Sequence, residues 1–280
     1  MYYIAMNNKP LKVIEPRSSF NIMNEIMDIW QHRELLYLLA WRDYKVRYRQ
    51  TIVGIAWAIL QPVLAMLAFV FIFGKFKEIT DTGVPYAIFV YSGLIIWQFF
   101  SGALNEAGTS LVLSSQIITK IYFPRILVPL AKILTTLIDL AISLVIIVIL
   151  FIYFGIFPSL LSLIYAIPIL ILMFIVSASL GIILSAINVK YRDVQYALPY
   201  FVQLSLFFSP VIYSGANLGR YSKILMLNPL TGIIEAFRAL IFSLPFPTTA
   251  FMVSCLLTLL LFIFSMNYFI KSEGAFSDVI

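Results

Sequence analysis

Six apolar stretches run through this 280-residue chain, and the polar segments between them carry Lys and Arg unevenly. A helix needs about 20 residues to cross a hydrocarbon core of about 30 Å. The stretches fall near 52–73, 85–106, 127–154, 160–187, 195–213 and 249–270. Lipid offers no partner to backbone N–H and C=O groups, so each stretch is expected to be helical. The chain is therefore read as an all-α integral membrane protein. Gly74, Gly83 with Pro85, Pro124, Gly155 with Pro158, and Pro245 with Pro247 sit at or near the proposed borders, where turn residues belong. With 62% hydrophobic and 11% charged residues, the chain lies far from a soluble domain. A lone cysteine, Cys255, and a lone histidine, His32, supply neither a disulfide framework nor a zinc site, so no metal is expected. Lys9, Glu15, Arg17, Glu25 and Asp28 interrupt the first thirty residues, which leaves no apolar core of signal-peptide length and predicts a retained N-terminus.

Six spans place both termini on one side. The termini and the even-numbered connections hold fourteen Lys and Arg, against five on the other side (Lys75, Lys77, Arg220, Lys223 and Arg238). The positive-inside rule then puts both termini in the cytoplasm. The net charge of +6 follows from this topology and from contact with anionic lipid, without nucleic acid. Three regions result: an N-terminal and interfacial-helix region (1–50), a six-span transmembrane domain (51–270) and a tail (271–280).

Two segments fit neither a span nor a plain loop. Tyr37, Trp41, Tyr44 and Tyr48 recur at helical spacing beside Arg42, Lys45 and Arg49, the pattern of an amphipathic helix at the membrane surface. A soluble helix packed on a partner has the same pattern. Leu230 to Phe242 is apolar but only 13 residues, about 20 Å as a helix. It is read as part of a re-entrant or interfacial hairpin on the outer side, with Asn228 as N-cap, Pro229 at the first helical position, and Glu235 and Arg238 spaced to pair. A capping helix on the outer surface is the simpler alternative.

Within span three, Lys132, Thr135, Thr136, Asp139 and Ser143 share one helical face. An ionised Asp in a span turns toward protein or water, and Lys132 is one partner within reach. The stripe fits either the wall of a polar cavity or helix–helix glue. Gln61-Pro62 should kink span one. Trp97 falls about 18 Å into span two, too deep for an interfacial belt. Trp97, Phe99 and Phe100, with Tyr200, Phe207, Phe208 and Tyr213 of span five, would offer ring faces to a sliding sugar chain, or they simply pack. The sequence has no G-x-x-x-x-G-K-[ST], no Asp-x-Asp pair and no G-x-S-x-G, so it shows no nucleotide loop and no site for chemistry. Any ATP that drives it is hydrolysed elsewhere.

Four segments together resemble a known family: Val46 to Trp57 (VRYRQTIVGIAW) with Gln61-Pro62, Phe123 to Leu130 (FPRILVPL), Asn188 to Val194 (NVKYRDV) and Asn228 to Arg238 (NPLTGIIEAFR). They are similar to the type-2 ABC exporter permeases that move polysaccharides, the group serving O-antigen, teichoic acid and capsule export, and most like those exporting O-antigen. One departure is Gly232, where the pattern leads one to expect proline.

The resemblance implies a homodimer in the bacterial cytoplasmic membrane with two copies of a separate ATP-binding subunit. ATP and Mg would sit on that subunit, this chain holding no cofactor, and the substrate would be a lipid-linked polysaccharide. It places a coupling helix that docks in the ATPase around Ser110, Ser114, Gln116 and Lys120, completed by Tyr191, Arg192 and Asp193, and gate helices at Asn228, Pro229, Glu235 and Arg238. Arg42, Arg47, Arg49 and Lys132 would meet a lipid pyrophosphate as charge-assisted donors, or serve topology and anionic-lipid contact. Trp97, Phe100, Lys132, Thr136, Asp139, Ser143, Phe207 and Tyr213 are the candidate channel residues. An ABC permease for drugs or lipids shares the six spans. A secondary transporter would use Asp139 as an ion site, and a lipid-processing enzyme would need the catalytic cluster the sequence lacks.

Overall fold

Among the described residues of the computed structural model, namely 22–49, 55–74, 83–120, 123–215, 222–274 and 276, the regular structure is entirely helical. In chain order the helices are α1 (Ile22–Gln31), α2 (Arg33–Arg49), α3 (Ile55–Phe73), α4 (Tyr86–Leu113), α5 (Ser115–Ile118), α6 (Leu127–Phe154), α7 (Leu160–Lys190), α8 (Val194–Ser205), α9 (Ser222–Leu225), α10 (Pro229–Ile241) and α11 (Thr248–Glu273). Expectations that rest on Lys75, Lys77, Arg220 and the side chains of Tyr48 and Arg49 lie outside the described residues, as do the start of span one and most of the tail.

Five helices, α3, α4, α6, α7 and α11, are long and apolar enough to cross a membrane. Their ends follow local chemistry. Gly155 closes α6 in the left-handed region, at φ 68°, where its missing Cβ removes the penalty. The Ser159 hydroxyl caps α7 by accepting from Ser162 N. Asn228 Oδ1 accepts from Leu230 N at 3.0 Å and Pro229 opens α10. Pro62 lies inside α3, which continues to Phe73.

α4 is the axis of the bundle, with 78% of its spanning window buried, whereas the window of α3 is only 11% buried and faces outward. Contacts fix the directions. Phe99 meets Phe174, Gly181 lies against Ala103 and Ala107, and Asn188 Nδ2 donates to Gly108 O at 3.0 Å, so α4 and α7 run parallel. Tyr91 donates to Ser143 O and Thr136 lies against Gly102, so α6 runs antiparallel to α4. Small residues permit the close approach of α4 and α7: a Cβ on Gly181 would stand 2.8 Å from Ala107 Cβ. Arg125 Nη1 donates to Glu273 O at 2.6 Å, bringing the end of α11 to the start of α6. One end of the bundle thus gathers the C-termini of α4, α7 and α11 and the start of α6, and α2 packs on it through Leu39.

Two predicted spans differ from what is observed. Span two extends beyond residue 106 to Leu113, because nothing in that stretch breaks a helix and its hydroxyls bond their own backbone: Thr109 donates to Asn105 O and Ser110 to Ala107 O. Span five is not one helix. α8 has 12 residues and gives way to turns from Leu206 to Val211, closed by bonds such as Phe207 N to Leu204 O. Pro210, with no N–H, cannot carry the helical ladder onward. The segment still runs the length of α4 in the opposite direction, from Leu198 beside Gly108 to Val211 beside Gly93 and Ile212 beneath the Tyr86 hydroxyl.

Candidate functional site

Two polar assemblies stand out, one at each end of α4. The first joins α2 to α6 and α4. Asp43 and Arg47, one turn apart, share a face of α2. On α6, Lys132 and Asp139 face them with charges in the complementary order. Arg47 Nη2 lies 3.0 Å from Asp139 Oδ2, and Lys132 Nζ lies 3.4 Å from Asp43 Oδ2 and 3.7 Å from Glu106 Oε2. Arg42 adds a pair to Asp43 Oδ1 at 2.7 Å. Asp139 is thus paired with Arg47 rather than with Lys132, the neighbour the sequence offered.

The rest of the α6 stripe takes a different part. Thr135 donates to Lys132 O, Thr136 to Ile133 O and Ser143 to Asp139 O, so each hydroxyl is satisfied by its own helix while the residues lie buried. The candidate aromatics also separate. Trp97 and Phe100 are core residues, each 6% exposed, with ring centroids 6.2 Å apart, whereas Tyr200, Phe207 and Phe208 project outward. Tyr213 is half-buried and donates to Phe207 O at 2.9 Å. These rings do not form one surface within the chain.

The second assembly is built on Arg238 of α10, which is 3% exposed. Its Nη1 donates to Pro210 O (2.6 Å) and Tyr213 O (3.4 Å), its Nη2 to Val211 O (2.6 Å) and Phe89 O (3.1 Å), and its Nε to Ser92 Oγ (3.2 Å). The guanidinium stacks over the Phe89 ring at 3.7 Å. The turns after α8 leave carbonyls without helical donors, and irregular backbone inside a bundle needs such partners. The fork of five N–H groups supplies them. Gly93 makes the room, since a Cβ there would sit 2.5 Å from Arg238 Nη2. Asn228 ties the same turns to α10, donating to Phe208 O (3.1 Å) and Ser209 Oγ (2.9 Å), and Thr231 donates to Leu225 O (2.7 Å).

Glu235, spaced to pair with Arg238, instead sets its carboxylate against Gly215, and its pKa is raised by burial, opposed by the Arg238 charge and the Gly215 amide. It borders a cavity of about 350 Å³ that Thr231, Ser222 and Ala250 also line. Phe89, Ser92 and Gly93 were missed by sequence reasoning; the Ser92-Gly93 pair inside an apolar span was the available signal.

At the α2 end, the residues expected to meet a partner divide. Ser110 and Ser114 are buried, while Gln116, Lys120, Tyr191, Arg192 and Asp193 are exposed. The Asn188–Gly108 bond brings the ends of α4 and α7 together, so α5 and the 191–193 turn present one end of the bundle.

The sequence profile of the ABC-2 type transporters matches residues 34–242, which takes in both assemblies, and the chain belongs to that family. Relatives include O-antigen export system permease proteins RfbA from Klebsiella pneumoniae, 31% identical over 74% of this chain and 80% of the relative, and from Myxococcus xanthus, 29% identical over 78% and 84%. The polysialic acid transport protein KpsM of Escherichia coli is 26% identical over 73% of this chain and 79% of its own length.

Proposed function

We propose that the chain is the membrane subunit of an exporter that moves lipid-linked polysaccharide, of the O-antigen kind, out of the cytoplasm, driven by ATP and Mg on a separate subunit. The observation that carries this reading is the similarity, over about three quarters of the chain, to proteins named for O-antigen export and polysialic acid transport. Residues 194–213 serve as the fifth of six crossings in chain order: 12 helical residues and the tighter turns after them together reach about 30 Å. The bundle end bearing α2 and α5 then faces the cytoplasm, in keeping with the fourteen-to-five bias of Lys and Arg.

The working unit is a homodimer with two ATP-binding subunits in the bacterial cytoplasmic membrane. Gln116, Lys120 and Tyr191 to Asp193 meet the ATPase, and the rigid α4–α7 pair carries its motion toward α10, the outer gate. α2 lies at the membrane surface, its stacked Tyr37, Trp41 and Tyr44 rings at head-group depth. The exposed aromatics of 200–208 border the glycan path formed between the two copies. Deleting the chain in its host tests this. Surface polysaccharide should vanish while lipid-linked polymer accumulates on the inner leaflet; intact surface glycan together with lost drug or lipid efflux would overturn it.

A further inference from the structure

The end of α11 and the start of α6 cap each other. A helix leaves its last carbonyls without intrahelical donors and carries partial negative charge there, so a guanidinium is favoured at that end. Arg125 supplies one, its Nη1 donating to Glu273 O at 2.6 Å. In return, Glu273 Oε1 accepts from Arg125 N at 3.2 Å, just ahead of α6. Arg125 O accepts from Val128 N at 3.1 Å, which builds Arg125 into the first turn of α6. Past Gly274, Phe276 is 2% exposed, its ring set edge-on to Phe269 at 5.5 Å, with the Arg125 guanidinium over it at 5.9 Å. Two polar contacts and one aromatic anchor thus join the end of α11 to a single turn.

That turn follows α5, whose Gln116 is exposed. Phe276, Phe123 and Ile126 share one apolar cluster with Ile118 of α5, Leu111 of α4 and Phe269 of α11. At its other end α11 holds α10: Gly232 N donates to Ser254 Oγ at 3.1 Å, and Ala250 O lies against Gly232. One helix therefore touches the turn beside α5 with its C-terminal end and the helix bearing Arg238 with its N-terminal end. Its backbone bonds are internal, so it carries a displacement along its axis as a stiff rod.

We propose that Arg125 and Phe276 are positioning residues that lock α6 to α11, so that a displacement of α5 by the ATPase reaches α10 through α11. The route runs in parallel with the α4–α7 pair and depends on residues at the end of the chain. Without the lock, a push on α5 flexes the turn and leaves α11 in place. The inference rests on the export reading, which sets α5 against the ATPase.

The test uses the full chain with its ATPase in proteoliposomes carrying the host's lipid-linked polysaccharide, and reads polymer transferred per ATP hydrolysed. Phe276→Ala and Arg125→Met should each lower that ratio by about twofold to thirtyfold, the span of effects for residues between two coupled sites. Hydrolysis itself and assembly with the ATPase should persist. Phe276→Leu, which refills the cluster, should restore most of the ratio. The double variant should fall no further than the worse single one, because both act on one lock. Should Phe276→Ala fail to assemble, Arg125→Met leaves the apolar cluster filled and carries the expectation alone. A ratio unchanged in either assembled variant, even with both rates and the melting temperature lowered, would mark a plain structural brace and overturn the inference while the export reading stands. Hydrolysis by the wild type with no polymer crossing would remove the export reading and the inference with it.

Discussion

The charge ladder between α2 and α6 and the carbonyl clamp around Arg238 use the same kinds of cation in opposite ways. In the ladder the partners are carboxylates, solvent reaches Arg47, Asp139 and Glu106 while Lys132 and Asp43 are mostly covered, and one lysine is shared between two acids. In the clamp the partners are four backbone carbonyls and a serine hydroxyl, and the cation is sealed from solvent. A carboxylate can be replaced by another anion, whereas a backbone carbonyl is fixed where the fold puts it. The contrast separates a partly solvated charge pairing that joins α2 to α6 from a buried one that fixes a break in the α8 segment against α4 and α10.

The largest effect should come from the clamp. Arg238→Ala leaves the carbonyls of Pro210 and Val211 buried without the guanidinium donors and should cost on the order of 3–5 kcal/mol, read as a large fall in the detergent melting temperature. Arg238→Lys, with three donors on a narrower head, should recover only part of the loss. A variant that melts like the wild type would collapse the distinction between the two assemblies.

Gly232 gives the next test. Its N–H donates to Ser254 Oγ at 3.1 Å, and a side chain there would run into Ala250 O on α11. The departure from the expected proline therefore fits this packing, and Gly232→Pro should destabilise by about 1–3 kcal/mol through the lost bond and overpacking. The ladder should be far more tolerant: Arg42→Ala removes an exposed pair and should change stability by at most about 1 kcal/mol, less in high salt. A cost comparable to that of Arg238→Ala would mean the ladder is as fixed as the clamp.

Hydropathy and proline placement made most of the bundle legible, and they also mark where legibility stops. The apolar runs located the five span-length helices, because lipid and core select the same residues. The break after Ser205 was hidden, since residues 206–213 are as apolar as a span and proline alone is an ambiguous signal. Pro62, Pro168 and Pro199 all lie inside helices, whereas Pro210 lies in the break. What distinguishes Pro210 is a tertiary donor, Arg238, distant in sequence. In the same way, spacing along α6 suggested Lys132 for Asp139, but the pairing was decided by α2 lying alongside. The Asn228 cap and Pro229 start of α10 were readable because caps are local.

ATP-dependent transfer of a lipid-linked polysaccharide across the membrane of proteoliposomes containing this chain and its ATPase, with a hydrolysis-dead ATPase alongside, addresses the export role most directly. Transfer with the active ATPase and none with the dead one is the predicted result. Normal ATP hydrolysis with no glycan crossing would contradict the account.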